Sequence, residues 1–467
     1  MRREARPLTL PDGTVYSRRK GFCPFSTPAL EAYAPIIGEE RVERLRRAAA
    51  PLKGVRVLEL NATARGGGVA EMLYRSVPFL NSLGIEAEWK IVQGKPEYFE
   101  ITKRLHNMLQ GMPGSLTPDM ERVYLDTLEE CIRANILDYE PDIVIVNDPQ
   151  PLGLMECNGK ARASWIWRCH IDIDEGALAA DAGLWAFVTR LVERYDAAIF
   201  SAAHYVVSRW PLPKFIIPPF IDPLSEKNVE LGRRKIEKVL DKYHIDASIP
   251  IVAQVGRFDP WKGLDRTIAA FRLARKERAC QLVLAGGLAS DDPEGERMLD
   301  ELLEKTKNDR DIRVLRLSLS DRVKNYLEVN ALQRAANVIM QPSTREGFGL
   351  VITEALWKGK PVVASDVGAI PLQIVDGRTG FFYETPKKTA GKVVHLLDNP
   401  QAAAAMGERA HRYVSDHFLL PDRMADYLMS MDMTLHAAGR LPRESIVSFH
   451  PWTKLGKRRW QGKPSSS

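Results

Sequence analysis

The chain has 467 residues, 45% of them hydrophobic and 27% charged, an ordinary balance for folded domains that excludes wholesale disorder and collagen-like order and gives room for two or three domains. Its net charge of +6 is too small for this length to imply nucleic acid, no apolar run reaches the roughly 18–20 residues of a membrane-spanning helix, and the charged start Met1-Arg2-Arg3-Glu4-Ala5-Arg6-Pro7 leads into no apolar stretch of a secretory leader. Cys23, Cys131, Cys157, Cys169 and Cys280 are widely spaced and form no C-x-x-C pair, which predicts reduced thiols in a cytoplasmic protein, with neither a disulfide framework nor a zinc site.

In chain order, short Val- and Ile-rich runs recur at Val55–Leu60, Ile143–Val146, Trp165–Trp167 and Ala197–Phe200, and then at Ile249–Val255, Leu282–Ala285, Val314–Leu317, Val338–Met340 and Pro361–Ala364. Nearly continuous apolar strands indicate burial on both faces, as in parallel sheets. Helical stretches such as Asp265–Lys276 and Gly295–Lys307 lie between them, so the fold class is α/β, with an open sheet in each half. The dense prolines Pro211, Pro213, Pro218, Pro219 and Pro223 suit neither a helix nor a central strand and mark the inter-domain connection. After about Leu420 the pattern is helical up to about Gly439, with no further strand. The tail carries Lys454, Lys457, Arg458, Arg459 and Lys463. It reads as a solvated basic segment, or less readily as a patch for a polyanion or membrane surface.

Four stretches carry chemistry. Gly66-Gly67-Gly68 between the strand Val55–Leu60 and a helix lets backbone approach a ligand and aims helix amides at an anion. Arg168, His170, Asp172 and Asp174 cluster at the end of the strand through Trp167, where open α/β sheets place ligand groups. Asp172-Ile173-Asp174 is also a D-x-D, a minor metal reading. Arg257 and Lys262 follow the strand ending at Val255, and a planar fork with a mobile point charge suits a diphosphate. The strongest signal is Ser343-Thr344-Arg345-Glu346-Gly347-Phe348-Gly349-Leu350, between the strand Val338–Met340 and a helix that carries Glu354. Were both carboxylates helical, eight residues would separate Glu346 from Glu354 by roughly 12 Å. That spacing suits two groups reading hydroxyls at opposite ends of one elongated ligand. Carboxylates beside hydroxyls and amides beside phosphates describe a nucleotide-sugar.

On these residues the sequence resembles the retaining GT-B glycosyltransferases of family 4. Several strings make it similar, more narrowly, to the trehalose glycosyltransferring synthases: Gly66–Glu71, Trp167–Asp172, Pro218–Ser225, Arg257–Lys262, Asn330–Ala335 and Arg345–Leu350. It departs from their pattern at Ala64-Arg65 and at Lys262-Gly263. The resemblance implies two Rossmann-like domains facing a cleft: an N-terminal acceptor domain over 1–220, a donor domain over 221–420, a helix over 421–445 packed back on the first domain, and the basic tail 446–467. It implies transfer of glucose from a UDP-, ADP- or GDP-glucose donor to free glucose, giving α,α-trehalose with retained configuration. No cofactor is required, magnesium being a stimulant at most, and a second copy of the chain is the expected protein partner.

On this resemblance Arg257 and Lys262 face the diphosphate with the amides of Gly347, Phe348, Gly349 and Leu350. Glu346 holds sugar hydroxyls, Glu354 the ribose, and His170 the 6-hydroxyl region of the donor sugar. Gly67 and Gly68 close over the phosphates, and Glu71, Arg168 and Asp172 line the acceptor. The alternatives are another family-4 transferase, forming a sucrose phosphate, glucan or glycolipid, or a non-catalytic nucleotide-sugar binder.

Overall fold

Runs of Val, Ile and Leu build two parallel sheets in the computed structural model, which describes residues 8–9, 15–16, 28–64, 67–158, 162–287, 293–318, 321–436, 442 and 444–454. Each sheet belongs to its own folding unit, the first ending at Pro219 and resuming at Leu420, the second spanning Phe220–Leu419.

The first unit contributes β1 (Arg56–Asn61), β2 (Glu86–Ile91), β3 (Ile143–Asn147), β4 (Ser164–Cys169), β5 (Ala197–Phe200) and β6 (Lys214–Ile216). A final strand, Ile446–Ser448, joins β6 at the edge, and the order runs Ile446–Ser448, β6, β5, β4, β3, β1, β2. All the pairings are parallel. The chain leaves β1 for β2 on one side and returns to β3 on the other. The carboxyl ends of β1 and β3 are therefore a topological switch point, the crevice where open α/β sheets bind ligands. Trp89, Trp165, Trp167 and Trp210 are fully buried.

Three strands here escape the apolar-run criterion. In β2 the buried Ala87 and Trp89 alternate with half-buried Glu86, Glu88 and Lys90, the period-2 pattern of a strand with one wetter face. β6 lies inside the proline-rich stretch, because Pro213 stops one residue short of it and Pro218 starts beyond it. Its Lys214 amide is satisfied by Ser445 O at 2.8 Å. The expectation that nothing but tail follows residue 446 is corrected by Ile446–Ser448, which pairs with Lys214–Ile216 while Phe449 stacks on Phe215 at 6.1 Å. Three residues are too few for periodicity to register. The basic cluster Lys457–Lys463 lies outside the described residues, as do Arg65 and Gly66.

The helix expected over 421–445 runs from Leu420 to His436 and packs on the helix Glu39–Ala49. Its inner face is charged. Arg41 Nε donates to Asp422 at 2.8 Å, Arg44 pairs with Asp426 at 2.7 Å, and the buried Arg423 pairs with Asp426 at 2.8 Å. Buried carboxylates matched by guanidinium forks fix the docking of this helix, since removing one partner would strand the other.

The second unit contains β7 (Ile251–Val255), β8 (Gln281–Gly286), β9 (Ile312–Arg316), β10 (Val338–Gln341), β11 (Val362–Ala364) and β12 (Phe381–Phe382). The order is β9, β8, β7, β10, β11, β12, again all parallel. Its switch point lies between β7 and β10, whose carboxyl ends lead into Arg257 and Ser343. Among the described residues no helix is long and apolar enough to cross a membrane.

Candidate functional site

At the switch point of the second unit two loops are tied together. Asp259 Oδ1 accepts from Trp261 N at 2.8 Å and caps the short turn Pro260–Lys262. Gln254 on β7 holds the Lys262 carbonyl at 2.7 Å and accepts from Thr267 at 2.5 Å. From the β10 side, Thr344 N donates to Trp261 O at 2.7 Å, and the Arg345 guanidinium lies over the Trp261 ring at 5.3 Å. These ties bring Lys262 Nζ to 2.6 Å from Glu346 Oε2, with the two side chains 15% and 11% exposed. Ser343 Oγ donates to the same oxygen at 3.2 Å. A lysine and a carboxylate, both mostly out of water, are thus held together at a strand end.

The loop beyond Glu346 is pinned rather than slack. Gln373 Nε2 donates to the Phe348 carbonyl and its Oε1 accepts from Thr353 at 2.6 Å. Gly347 O accepts from Ala369 N at 3.3 Å, and Phe348 is buried against Phe418. Gly349, at φ +84°, opens the helix Leu350–Trp357, whose N-terminus has no side-chain cap. A left-handed residue there favours glycine, and the helix end presents positive partial charge toward the loop.

Two expected members stand apart from the Lys262–Glu346 pair. Arg257 is 47% exposed and reaches Asp259 at 3.5 Å. Glu354, on the helix, is wholly buried with Lys227 Nζ at 2.7 Å from its Oε1. Lys227 and Gln373 were not legible as site residues, because each acts from an element remote in sequence from the motif it supports, and Gln254 was not, because it sits within the strand rather than in the loop that follows it.

In the first unit, His170 follows β4. Its amide donates to Asp148 Oδ1 at 2.9 Å, and its Nε2 lies 3.0 Å from Asn147 Oδ1. Asn147 Nδ2 donates to Glu59 Oε2 at 2.8 Å and to Leu60 O at 3.2 Å, and Tyr427 Oη donates to Glu59 Oε1 at 2.8 Å. Arg168 is buried and donates to Ile217 O at 2.7 Å. Burial pushes the Glu59 and Asp148 carboxyls up to about 7. Burial, with the Arg168 charge nearby, pushes the His170 imidazole well below its ordinary value. Gly67 is extended and caps the helix Gly68–Ser82, whose first turn carries Glu71. Asp172 is half-buried beside His170 in the chain. Asp174 Oδ1 accepts from Ala177 N at 3.0 Å and caps a helix, so half of the D-x-D is already engaged. Among the described residues no three His, Cys, Asp or Glu side chains gather in a group that could hold a metal ion. Glu59, Asn147, Asp148 and Tyr427 were missed. The only local signal was a glutamate inside an otherwise apolar strand.

The His170 shift carries a sign. The folded imidazole titrates below the unfolded one, near 6.5, so its share of stability is complete above that value and is lost as pH falls through it. Between pH 7.5 and 5.5 the melting midpoint of the protein is expected to fall more steeply than that of His170→Gln. Parallel curves would show that His170 is not buried in its neutral form.

Residues 59–207 match the family model described as trehalose synthase, N-terminal domain, and residues 235–413 match that of glycosyl transferases group 1. The chain is 43% identical to a trehalose synthase of Pyrococcus horikoshii over 403 residues, 85% of this chain and 95% of that protein. It is also similar to the UDP-forming α,α-trehalose-phosphate synthase of Burkholderia xenovorans, with a TM-score of 0.65 at 15% identity over 83% of this chain and 99% of that one. The Anabaena protein HepE in complex with UDP-glucose matches with a TM-score of 0.55 at 16% identity over 83% of this chain and 100% of that one.

Proposed function

The chain belongs to the trehalose synthase family of glycosyltransferases, a hexosyltransferase with two parallel-sheet units of the GT-B type, and on that premise we propose that it moves glucose from a nucleoside-diphosphate glucose to free glucose, forming α,α-trehalose with retained configuration. The Lys262–Glu346 pair at the second unit's switch point carries this reading. The UDP-glucose complex of a neighbour with the same fold supports a nucleotide-sugar donor.

Breaking a glycosyl–diphosphate bond leaves positive charge on the sugar ring and negative charge on the departing phosphate. Pre-aimed cations and amides stabilise the second charge. In this reading Lys262 and Arg257 take the diphosphate, helped by the amides that follow Gly347. Glu346, held on Ser343, accepts from sugar hydroxyls. Glu354 takes the ribose, its charge matched by Lys227. Gly67, Gly68, Glu71, Arg168, His170 and Asp172 serve the sugar side from the first unit. With no carboxylate nucleophile assigned, substitution on the front face fits best, the departing phosphate accepting the incoming hydroxyl's proton. Double displacement through a glycosyl-enzyme is the mechanistic alternative. Incubation with UDP-glucose and free glucose is expected to release UDP and a non-reducing disaccharide. Release of UDP only with a phosphorylated or lipid acceptor would replace this reading with another transferase of the same fold.

Two further results are expected. Activity persists in excess chelator, because cationic side chains stand where a metal would neutralise the diphosphate. Loss of turnover both on chelation and in Asp172→Asn would favour the D-x-D. Calorimetry with UDP is expected to show near-unchanged affinity in Glu346→Gln, since that ligand lacks the sugar, and weakened affinity in Glu354→Gln. The opposite pattern would exchange the roles of the two carboxylates.

A further inference from the structure

The hydrogen-bond network of the first unit allows His170 to be assigned at the level of single atoms. Asn147 Nδ2 lies 2.8 Å from Glu59 Oε2 and 3.2 Å from the Leu60 carbonyl. A backbone carbonyl only accepts, so the amide nitrogen of Asn147 must face it, whatever the protonation of Glu59. Asn147 Oδ1 is then the atom 3.0 Å from His170 Nε2. An amide oxygen also only accepts, so Nε2 must carry the hydrogen. The neutral ring that burial enforces leaves Nδ1 bare. That atom is buried and has no hydrogen-bond partner among the described residues, whereas nearly every buried polar atom of a folded protein finds one.

We propose that Glu59 and Asn147, with Tyr427 behind them, are positioning residues that hold His170 as the Nε2–H tautomer, so that Nδ1 accepts a hydrogen bond from a hydroxyl of the bound sugar. Glu59 is gripped from both sides. Asn147 donates to one oxygen, and Tyr427, from the helix Leu420–His436, donates to the other at 2.8 Å. Burial keeps the Tyr427 phenol far above its ordinary value, so it remains a donor. The C-terminal helix therefore sets the orientation of a side chain at the end of β4, through Glu59 and Asn147. An acceptor-only nitrogen selects hydroxyl or amine donors and gains nothing from a phosphate or carbonyl oxygen. This places a sugar, and not the diphosphate, against His170. The identity of that ligand as a sugar rests on the function proposed above, whereas the tautomer rests on the geometry alone.

The test uses the full chain with ¹⁵N-labelled histidine, His170 being assigned by its loss in His170→Gln. The expected spectrum shows a protonated Nε2 and a bare Nδ1 throughout the neutral range. An Nδ1–H ring or an imidazolium would overturn the proposal without any variant being needed. In Asn147→Leu and Glu59→Leu the single tautomer gives way to a mixture, with a roughly tenfold loss of kcat/KM, the scale of one hydrogen bond. Glu59→Gln, which can accept from Asn147 and donate to Tyr427, restores the wild-type spectrum. An unchanged tautomer in both leucine variants would overturn the relay. Finally, deoxyglucose acceptors and deoxy donor sugars are compared in the wild type and in His170→Phe. One hydroxyl, on one of the two sugars, is expected to lose its preference of roughly tenfold in the phenylalanine variant. If the tautomer is as assigned and no hydroxyl shows this, the sugar contact fails while the relay stands.

Discussion

Lys262→Ala is expected to lower kcat by a hundred- to a thousandfold, the effect of about 2.7–4 kcal/mol that one pre-aimed electrostatic contact supplies to a developing anion. The geometry explains why the loss falls on turnover more than on donor KM. Before reaction, Lys262 sits 2.6 Å from Glu346, so part of its charge is already matched by a carboxylate. As the phosphate departs, negative charge grows at the donor, and the lysine's interaction strengthens in the transition state over the ground state. Removing the lysine also leaves Glu346, 11% exposed, without its cation beside an incoming dianion. Glu346→Gln removes that repulsion while weakening the bonds to sugar hydroxyls. The two effects are therefore coupled. The double variant Lys262→Ala/Glu346→Gln should be less impaired than the product of the single losses, since residues in one ion pair give interaction energies of about 0.5–3 kcal/mol. Steady-state kinetics on the four proteins closes the cycle. Additive losses would mean that the pair seen in the structure is not the arrangement that reacts.

The same pair shows how far sequence reasoning reaches. The strand β10 and the helix after Gly349 are announced by local pattern: three apolar residues, then after a short loop Glu-Gly-Phe-Gly, then a helical run. Arg257, Lys262 and Glu346 could be singled out because each lies in the loop that directly follows a strand. What holds them could not. Gln254, Gln373 and Lys227 are ordinary polar residues in sequence; Gln254 acquires a role when the chain after β7 turns back over it, and Gln373 and Lys227 only when distant segments fold against the motif. The first unit makes the point at greater range. Tyr427 and Glu59 are 368 residues apart, and no period of 2 or 3.6 connects them. Ile446–Ser448 is three residues long and pairs with a strand more than two hundred residues earlier, so neither its length nor its neighbours in the chain reveal it. The proline-rich stretch does hold the boundary between the two units, at Pro219, but it hid β6 for the opposite reason. The prolines flank β6 without interrupting its hydrogen bonds, and a count of prolines does not distinguish flanking from interrupting.

Gly263→Ala should be the most damaging small substitution near the site. Gly263 sits at φ +65°, and a Cβ there would lie 2.1 Å from Pro342 O and 2.9 Å from Pro342 C. Both are backbone atoms and cannot swing aside as a side chain would. An L-residue in the left-handed region costs about 1–2 kcal/mol, and overpacking adds about 1–3 kcal/mol, so a loss of roughly 2–5 kcal/mol is expected. The direction of the displacement matters as much as its cost. Gly263 directly follows Lys262, and Pro342 directly precedes Ser343, so the new methyl group forces apart the two loops that hold the Lys262–Glu346 pair. Activity should therefore fall below what the lost stability explains, even where the chain is still folded. Gly232→Ala is the control. That glycine has φ −63° and no atom within 4 Å of its would-be Cβ, so its effect should stay within about 0.5 kcal/mol. Gly349→Ala, at φ +84° and with Glu346 Cγ 3.2 Å away, should fall between them, since a side-chain carbon can yield where a carbonyl cannot. Unfolding midpoints and kcat measured on the three variants give the ranking. A Gly263→Ala protein as stable and active as Gly232→Ala would show that the turn after Lys262 does not press on the β10 loop, and the shared placement of Lys262 and Glu346 would need another cause.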